Sequence, residues 1–249
     1  MISIKTKNEI ELMRISGKIL ANTKQEIWDA IKPGVTTNEL DKIAFNSIKK
    51  QGAKPAFLGY GGFPKTVCIS INEELIHGIP SDRKLKEGDV VSIDLGAIWK
   101  GYYSDSCFSR GVGKISSQDK KLLEIAKDAF YAGVNAIKPG ARVGDVEFAI
   151  GKFITKKGYF TPNNYTGHGI GTKLHEDPTI HNTGIKGTGP LLKNGMVICI
   201  EPMILQNSNQ SYILEDGWTI VSADGSNTSH YEHTILIEDG LPVLLTEGI

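Results

Sequence analysis

The chain has 249 residues, 40% of them hydrophobic, and its 28 basic residues are matched by 28 acidic ones. That length carries a substantial core in one or two domains. A formal charge of zero argues against a strong electrostatic footprint for nucleic acid or anionic membrane. No stretch approaches the ~20 apolar residues of a membrane-spanning helix, and the first residues lack the apolar core of a signal peptide. The three cysteines, Cys68, Cys107 and Cys199, are widely spaced and read as free thiols in a reducing cytoplasm.

Thr6-x-x-Glu9 is a capping box ahead of Ile10, Met13, Leu20, Ile27 and Ile31, and predicts a helix running to Pro33-Gly34. Thr36-x-x-Glu39 opens a second helix over 37–50. A strand is expected at 66–72, followed by a loop holding His77 and Pro80. A hairpin comes next, with one arm from Val90 to Ile98, a turn at Lys100-Gly101, and the other arm from Tyr103 to Val112. Helices follow at 117–137, broken by Pro139-Gly140, and at 143–157. Strands are expected near 197–205, 210–214, 217–223 and 231–237.

The second half echoes the first. LKEGDVVSID at 85–94 returns as LKNGMVICIE at 192–201, and the helical segment at 30–52 returns at 136–158. His77-Gly78-Ile79 is matched by His168-Gly169-Ile170. The pattern predicts one domain over 1–249 with an internal pseudo-twofold repeat, about 1–112 and 113–249. Its class is α+β, with helices packed on one face of a curved antiparallel sheet.

Both echoed strands close on an acid, Asp94 and Glu201. With the turn at Lys100-Gly101, Asp94 pairs near position 105 or 107, and either register places Asp94 and Asp105 on one face. Glu201, followed by Pro202, and Glu232, at the start of a strand, form the matching pair. A lone strand acid is ordinarily an edge or turn charge. Four converging carboxylates would repel one another unless cations join them. Two divalent ions balance four carboxylates, and bridging carboxylates hold such ions ~3.5–4 Å apart in hydrolytic sites.

His168 is the favoured imidazole, because glycines on both sides let backbone and ring approach a crowded centre. His77 and His175 sit in turn-like segments and read as ligands or as substrate contacts. Nothing around His181, His230 or His233 points beyond an ordinary core or surface role. Carboxylate and imidazole donors without thiolate suit Mn, Fe(II), Co or Zn. The chain holds no Gly-x-Ser-x-Gly elbow, no P-loop and no HExxH, so metal-assisted hydrolysis is the leading reaction class.

At these residues the chain resembles type I methionine aminopeptidases of the pita-bread fold. The resemblance runs over nearly the whole length, through VCISINEELIHGIP (67–80), SIDLG (92–96), GHGIG (167–171), GMVICIEPM (195–203), DGWT (216–219) and YEHT (231–234). It implies that Asp94, Asp105, His168, Glu201 and Glu232 hold two divalent metal cations, and that His77 and His175 contact substrate. The implied reaction removes the amino-terminal methionine of nascent proteins and peptides, favouring a small second residue, by attack of a water or hydroxide bridging the metals. In that reading Glu201 shuttles the proton, His175 stabilises the oxyanion and His77 bonds the scissile amide.

The resemblance also implies a methionine cup of Tyr60, Phe63, Cys68 and Trp218, with Phe57 and Leu174 at its mouth. Here the chain departs from the familiar bacterial pattern, in which the positions of Phe57, Phe63 and Leu174 are often Cys, Tyr and Phe. A soft, shape-based pocket for an unbranched thioether tolerates such changes. Proline-specific relatives carry an extra amino-terminal domain, and type II enzymes an insertion between positions corresponding to Glu201 and Glu232; neither is expected here. A metal-free binding platform would have lost ligands, and a phosphoesterase would place basic residues where this chain has aromatics. A cytoplasmic monomer with transient ribosome contact, needing neither nucleic acid nor membrane, completes the expectation.

Overall fold

The computed structural model describes residues 2–248; Met1 and Ile249 lie outside them. Each half of the chain opens on a helix pair. Helices α1 (Lys7–Ala30) and α2 (Thr37–Lys50) both start at capping boxes. Glu9 accepts from the Thr6 N–H at 2.7 Å, and Glu39 from the Thr36 N–H at 2.7 Å. Then come β1 (Lys54–Pro55), β2 (Val67–Ile71), β3 (Glu74–Ile76), β4 (Val90–Trp99) and β5 (Tyr102–Gly111). The second half holds α3 (Ser117–Val134), α4 (Val143–Lys156), β6 (Gly167–Gly169), β7 (Glu176–Ile180), β8 (Val197–Ile200) and β9 (Met203–Ile204). It ends on β10 (Ser211–Ile213), β11 (Ile220–Ser222), β12 (Ser229–His230), β13 (His233–Glu238) and β14 (Leu241–Leu244). No helix among the described residues is long and apolar enough to cross a membrane.

Helices α1 and α3 both stop short of the expected Pro33 and Ile137, at Ala30 and Val134. The residue before a proline is pushed out of the helical region, and Lys32 and Lys138 occupy that place.

β4 pairs with β5 in an unbroken antiparallel register from Val90↔Gly111 to Trp99↔Tyr102, and with β2 and β1 along its other edge. The second half forms a five-stranded sheet in the order β14-β13-β8-β6-β7. Smaller ladders, β10-β11-β3 and β12-β9, complete the strand layer.

The strand expected at 197–205 is broken in two, and the one expected at 231–237 starts two residues late, at His233. Glu201-Pro202 separates β8 from β9, and Tyr231-Glu232 separates β12 from β13, so Glu232 precedes its strand rather than beginning it. Pro202 has no N–H to give a ladder. The backbone of Glu232 is engaged elsewhere: its N–H donates to the Cys107 carbonyl at 3.0 Å, and its carbonyl accepts from Cys107 N–H at 3.3 Å.

That exchange ties β5 to the second half. Thr234 strengthens the seam, because its hydroxyl donates to the Asp105 carbonyl at 2.8 Å and accepts from the Asp105 N–H at 2.9 Å. On either side of it, α1 and α2 bury Leu20, Ile27, Leu40 and Ile48 with Val67, Ile69 and Ile93. Helices α3 and α4 bury Ile125, Phe130, Val146 and Ile150 with Ile198 and Ile235.

Candidate metal centre

The hairpin delivers two carboxylates by register alone. Asp94 stands opposite Cys107 and Gly96 opposite Asp105, so the two acids are one step of two apart on one face. Glu201 and Glu232 reach the same place from the two strand breaks. Oxygens of Asp94, Asp105 and Glu232 lie within 4.8 Å of one another, as do the donor atoms of His168, Cys199 and Glu232. His168 Nε2 is 3.4 Å from Glu201 Oε1 and 3.9 Å from Asp105 Oδ2.

His168 does not lie in a turn, as its echo of His77 suggested. It is the middle residue of β6, paired with β7 on one side and β8 on the other. The flanking glycines allow this: a Cβ on Gly167 would sit 2.3 Å from the Cys199 carbonyl oxygen, and one on Gly169 would sit 2.1 Å from that of Asp177. His77, by contrast, is in a loop with φ of 60°, the left-handed region that non-glycine residues seldom adopt.

The electrostatics are those of acids crowded together in the interior. Burial lifts the pKa of all four carboxyls above the ordinary range, with like-charge repulsion added at Asp105, Glu201 and Glu232. Burial also pushes His168 down to about 3, which keeps the ring neutral. Its Nδ1 lies 2.9 Å from the Gly169 carbonyl and must carry the proton to bond there. The Nε2 lone pair therefore faces Asp105 and Glu201, the tautomer that a metal-ligating histidine takes when its other nitrogen bonds a backbone carbonyl. Asp94 Oδ1, Asp105 Oδ1 and Glu232 Oε1 are buried with no hydrogen-bond partner. Such oxygens are costly unless a cation meets them, and an oxygen-rich donor set with one neutral imidazole fits hard to borderline divalent ions.

Two residues at this centre lay outside the expected set. The Cys199 Sγ lies 3.6 Å from the Thr234 hydroxyl and within 4.8 Å of donor atoms of His168 and Glu232, and burial pushes its pKa well up, so it stays a neutral thiol. His230 is 2% exposed, and its Nε2, 3.7 Å from Glu201 Oε2, has no hydrogen-bond partner. Spacing held a signal for His230: it lies two residues before Glu232, the interval that returns a side chain to the same face of extended backbone.

One cavity of about 160 Å³ is lined by the five ligand candidates, by His77 and His175, and by Phe57, Tyr60, Phe63, Cys68, Leu174 and Trp218. All the residues singled out in the sequence therefore meet in one place. Their arrangement differs from expectation at the rim. Phe57 and Leu174 are buried, at 7% and 2% exposure, whereas Tyr60 stands at the mouth at 44%. Phe57 can pack so deeply because Gly96 faces it: a Cβ there would lie 2.8 Å from the Phe57 ring. Phe63 and Trp218 meet edge to face at 5.1 Å. Tyr60 reaches over the cavity to His175, its hydroxyl 2.8 Å from Nδ1, and the His175 and His168 rings are 4.4 Å apart. Burial lowers the pKa of both remaining histidines, His77 to about 4.

A buried acidic cluster with one oriented imidazole, opening into an apolar cup, has the donor set and pocket of a metallohydrolase. Residues 11–239 match metallopeptidase family M24, and the chain belongs to that family. Within it, the chain is 47% identical to methionine aminopeptidase 1 of Bacillus subtilis, over 98% of this chain and 99% of that one. The structure superposes on a methionine aminopeptidase from Rickettsia prowazekii with a TM-score of 0.97 at 40% identity, covering 99% of this chain and 100% of that one. A prolidase from Pyrococcus furiosus shares the fold at a TM-score of 0.81 and 30% identity, but this chain covers only 66% of its length. The fold is thus the pita-bread fold common to both.

Proposed function

We propose that this protein removes the amino-terminal methionine from nascent polypeptides and peptides, with two divalent cations held by Asp94, Asp105, His168, Glu201 and Glu232. The observation that carries the reading is the single cavity with these donors at one end and an apolar cup at the other. Bound divalent ions supply Lewis acidity there, lowering the pKa of water and polarising a carbonyl.

The chain's own groups do the rest. The cup of Tyr60, Phe63, Cys68 and Trp218, closed by Phe57 and Leu174, takes the methionine side chain by shape and soft contacts. A Glu201 carboxylate oxygen accepts the proton of the attacking water and returns it to the leaving amine. The Tyr60 hydroxyl lies 2.8 Å from His175 Nδ1, and in the tautomer that accepts there the imidazole proton stands on Nε2, where it bonds the developing oxyanion. His77, held at the cavity wall beside Trp218 with ring centroids 6.4 Å apart, bonds the scissile amide. Mn, Fe(II), Co and Zn all fit the donor set. We further place the protein in the cytoplasm as a monomer that meets its substrates near the ribosome, with the two halves of the chain related as a pseudo-twofold repeat.

The test is release of methionine from a Met-Ala-Ser peptide by chelator-stripped protein, with each metal restored singly. Metal-dependent cleavage that stops after one residue, and is lost in Asp105→Ala, is the expected result. A folded protein that releases no methionine with any of the metals would sink the reading.

A further inference from the structure

The buried face of α1 carries Met13, Leu20 and Ile27, and in the same stripe, with 0% exposure, a lysine: Lys24. An apolar side chain would fill that space without the penalty of burying an ammonium. Among the described residues Lys24 has no ion pair; its Nζ donates to Ser106 Oγ at 3.0 Å. The Ser106 hydroxyl donates its one proton onward to the Glu232 carbonyl at 2.8 Å. Ser106 follows Asp105 on β5, and successive strand residues point to opposite faces. Asp105 therefore faces the cavity while Ser106 faces α1, so Lys24 approaches the carboxylate cluster from behind.

The groups around it agree with that placement. Glu232 and Glu247 attract the ammonium, and the Cys107 thiol, pushed well up by burial, is neutral. The His233 ring of β13, in the same interior, is held neutral by burial and by Lys24 itself. Burial lowers the lysine to about 8, which leaves it cationic at neutral pH.

We propose that Lys24 is a positioning residue of the metal centre: held behind the ligands on α1 beside Ser106, its charge sets how tightly the centre holds divalent ions. A fixed cation behind the ligands favours the carboxylates when they stand alone and opposes the arrival of further positive charge. The proposal rests on the ligand assignment above, so its readout is metal binding rather than turnover.

Chelator-stripped wild type, Lys24→Gln, Lys24→Met, Lys24→Arg and Ser106→Ala would be titrated with Mn(II) by calorimetry at pH 7, after thermal melts confirm that each is folded. Lys24→Gln keeps a donor for Ser106 and loses the charge; it and Lys24→Met should bind Mn(II) about tenfold more tightly, the order expected of one charge acting on a divalent ion through the interior. Lys24→Arg should restore wild-type affinity, and Ser106→Ala, which keeps the cation, should stay within about twofold of it. Unchanged or weaker binding in Lys24→Gln would overturn the proposal even if Lys24→Met fails to fold. Asp105→Ala serves as the control: wild-type affinity in that variant would instead place the fault in the ligand assignment.

Discussion

The β4–β5 hairpin and the β8–β13 region bring the same kind of side chain to one point by different means. Asp94 and Asp105 ride an unbroken ladder, placed by a tight turn and a period of two. Glu201 and Glu232 sit where ladders fail, and are placed by contacts between distant segments: Asn182 Nδ2 donates to the Glu201 carbonyl at 3.2 Å, and Glu232 exchanges backbone bonds with Cys107. One pair is set by local register; the other is set by contacts between segments far apart in the chain, which for Glu232 cross from one half to the other. The seam through Thr234 and Asp105 is where they depend on each other.

The comparison breaks first at the ligands. Glu232→Ala and Asp94→Ala should each lower kcat by about 10³ or more, since several kcal/mol of charge stabilisation are lost with either. Peptide-release kinetics with saturating metal would check this; a mild effect on one side only would mean that the two regions do not share one site. The seam comes next. Thr234→Val leaves the Asp105 N–H without its acceptor and should cost about 1–3 kcal/mol of stability, read from denaturant unfolding. Metal affinity should fall with it, because the docked half loses its place.

pH sharpens the same contrast. The four carboxyls have folded pKa values raised above their unfolded ones, so the metal-free fold binds extra protons and loses stability as pH rises toward those raised values. The lowered histidines act oppositely, but only below their ordinary value of about 6.5, and Lys24 acts only above about 8. Between about pH 6.5 and 8, melting of chelator-treated protein should therefore shift to lower temperature as pH rises. Added Mn(II) should flatten the slope, and a slope that is flat without metal would contradict the clustered-carboxylate picture. The smallest effect is expected at the rim. Tyr60→Phe keeps the ring of the cup but drops the bond to His175, so kcat should fall by roughly three- to tenfold with KM little changed. A KM change alone would make Tyr60 a wall residue only.

Much of this was legible in the sequence where the causes are local. The capping boxes at Thr6 and Thr36 open helices within the residues that spell them, and the hairpin register follows from its turn. His230 was legible only as a spacing of two from Glu232, because its place beside Glu201 depends on β12 pairing with β9, where His230 stands opposite Met203. Nor was the strand at His168: Gly-His-Gly has no preference for extended structure, and β7 and β8 impose it from both sides.

The sequence by itself determined which residue types could carry the chemistry, and, for Asp94 and Asp105, that they share a face, because strand periodicity acts over a few bonds. The echo of the two halves named Glu201, Glu232 and His168 beside them, but the tertiary structure alone decided that His230 joins them, that Phe57 lies buried against Gly96, and that Lys24 stands behind the cluster. Those placements come from packing between segments far apart in the chain, where the energy of burial, not the local backbone, selects the partner.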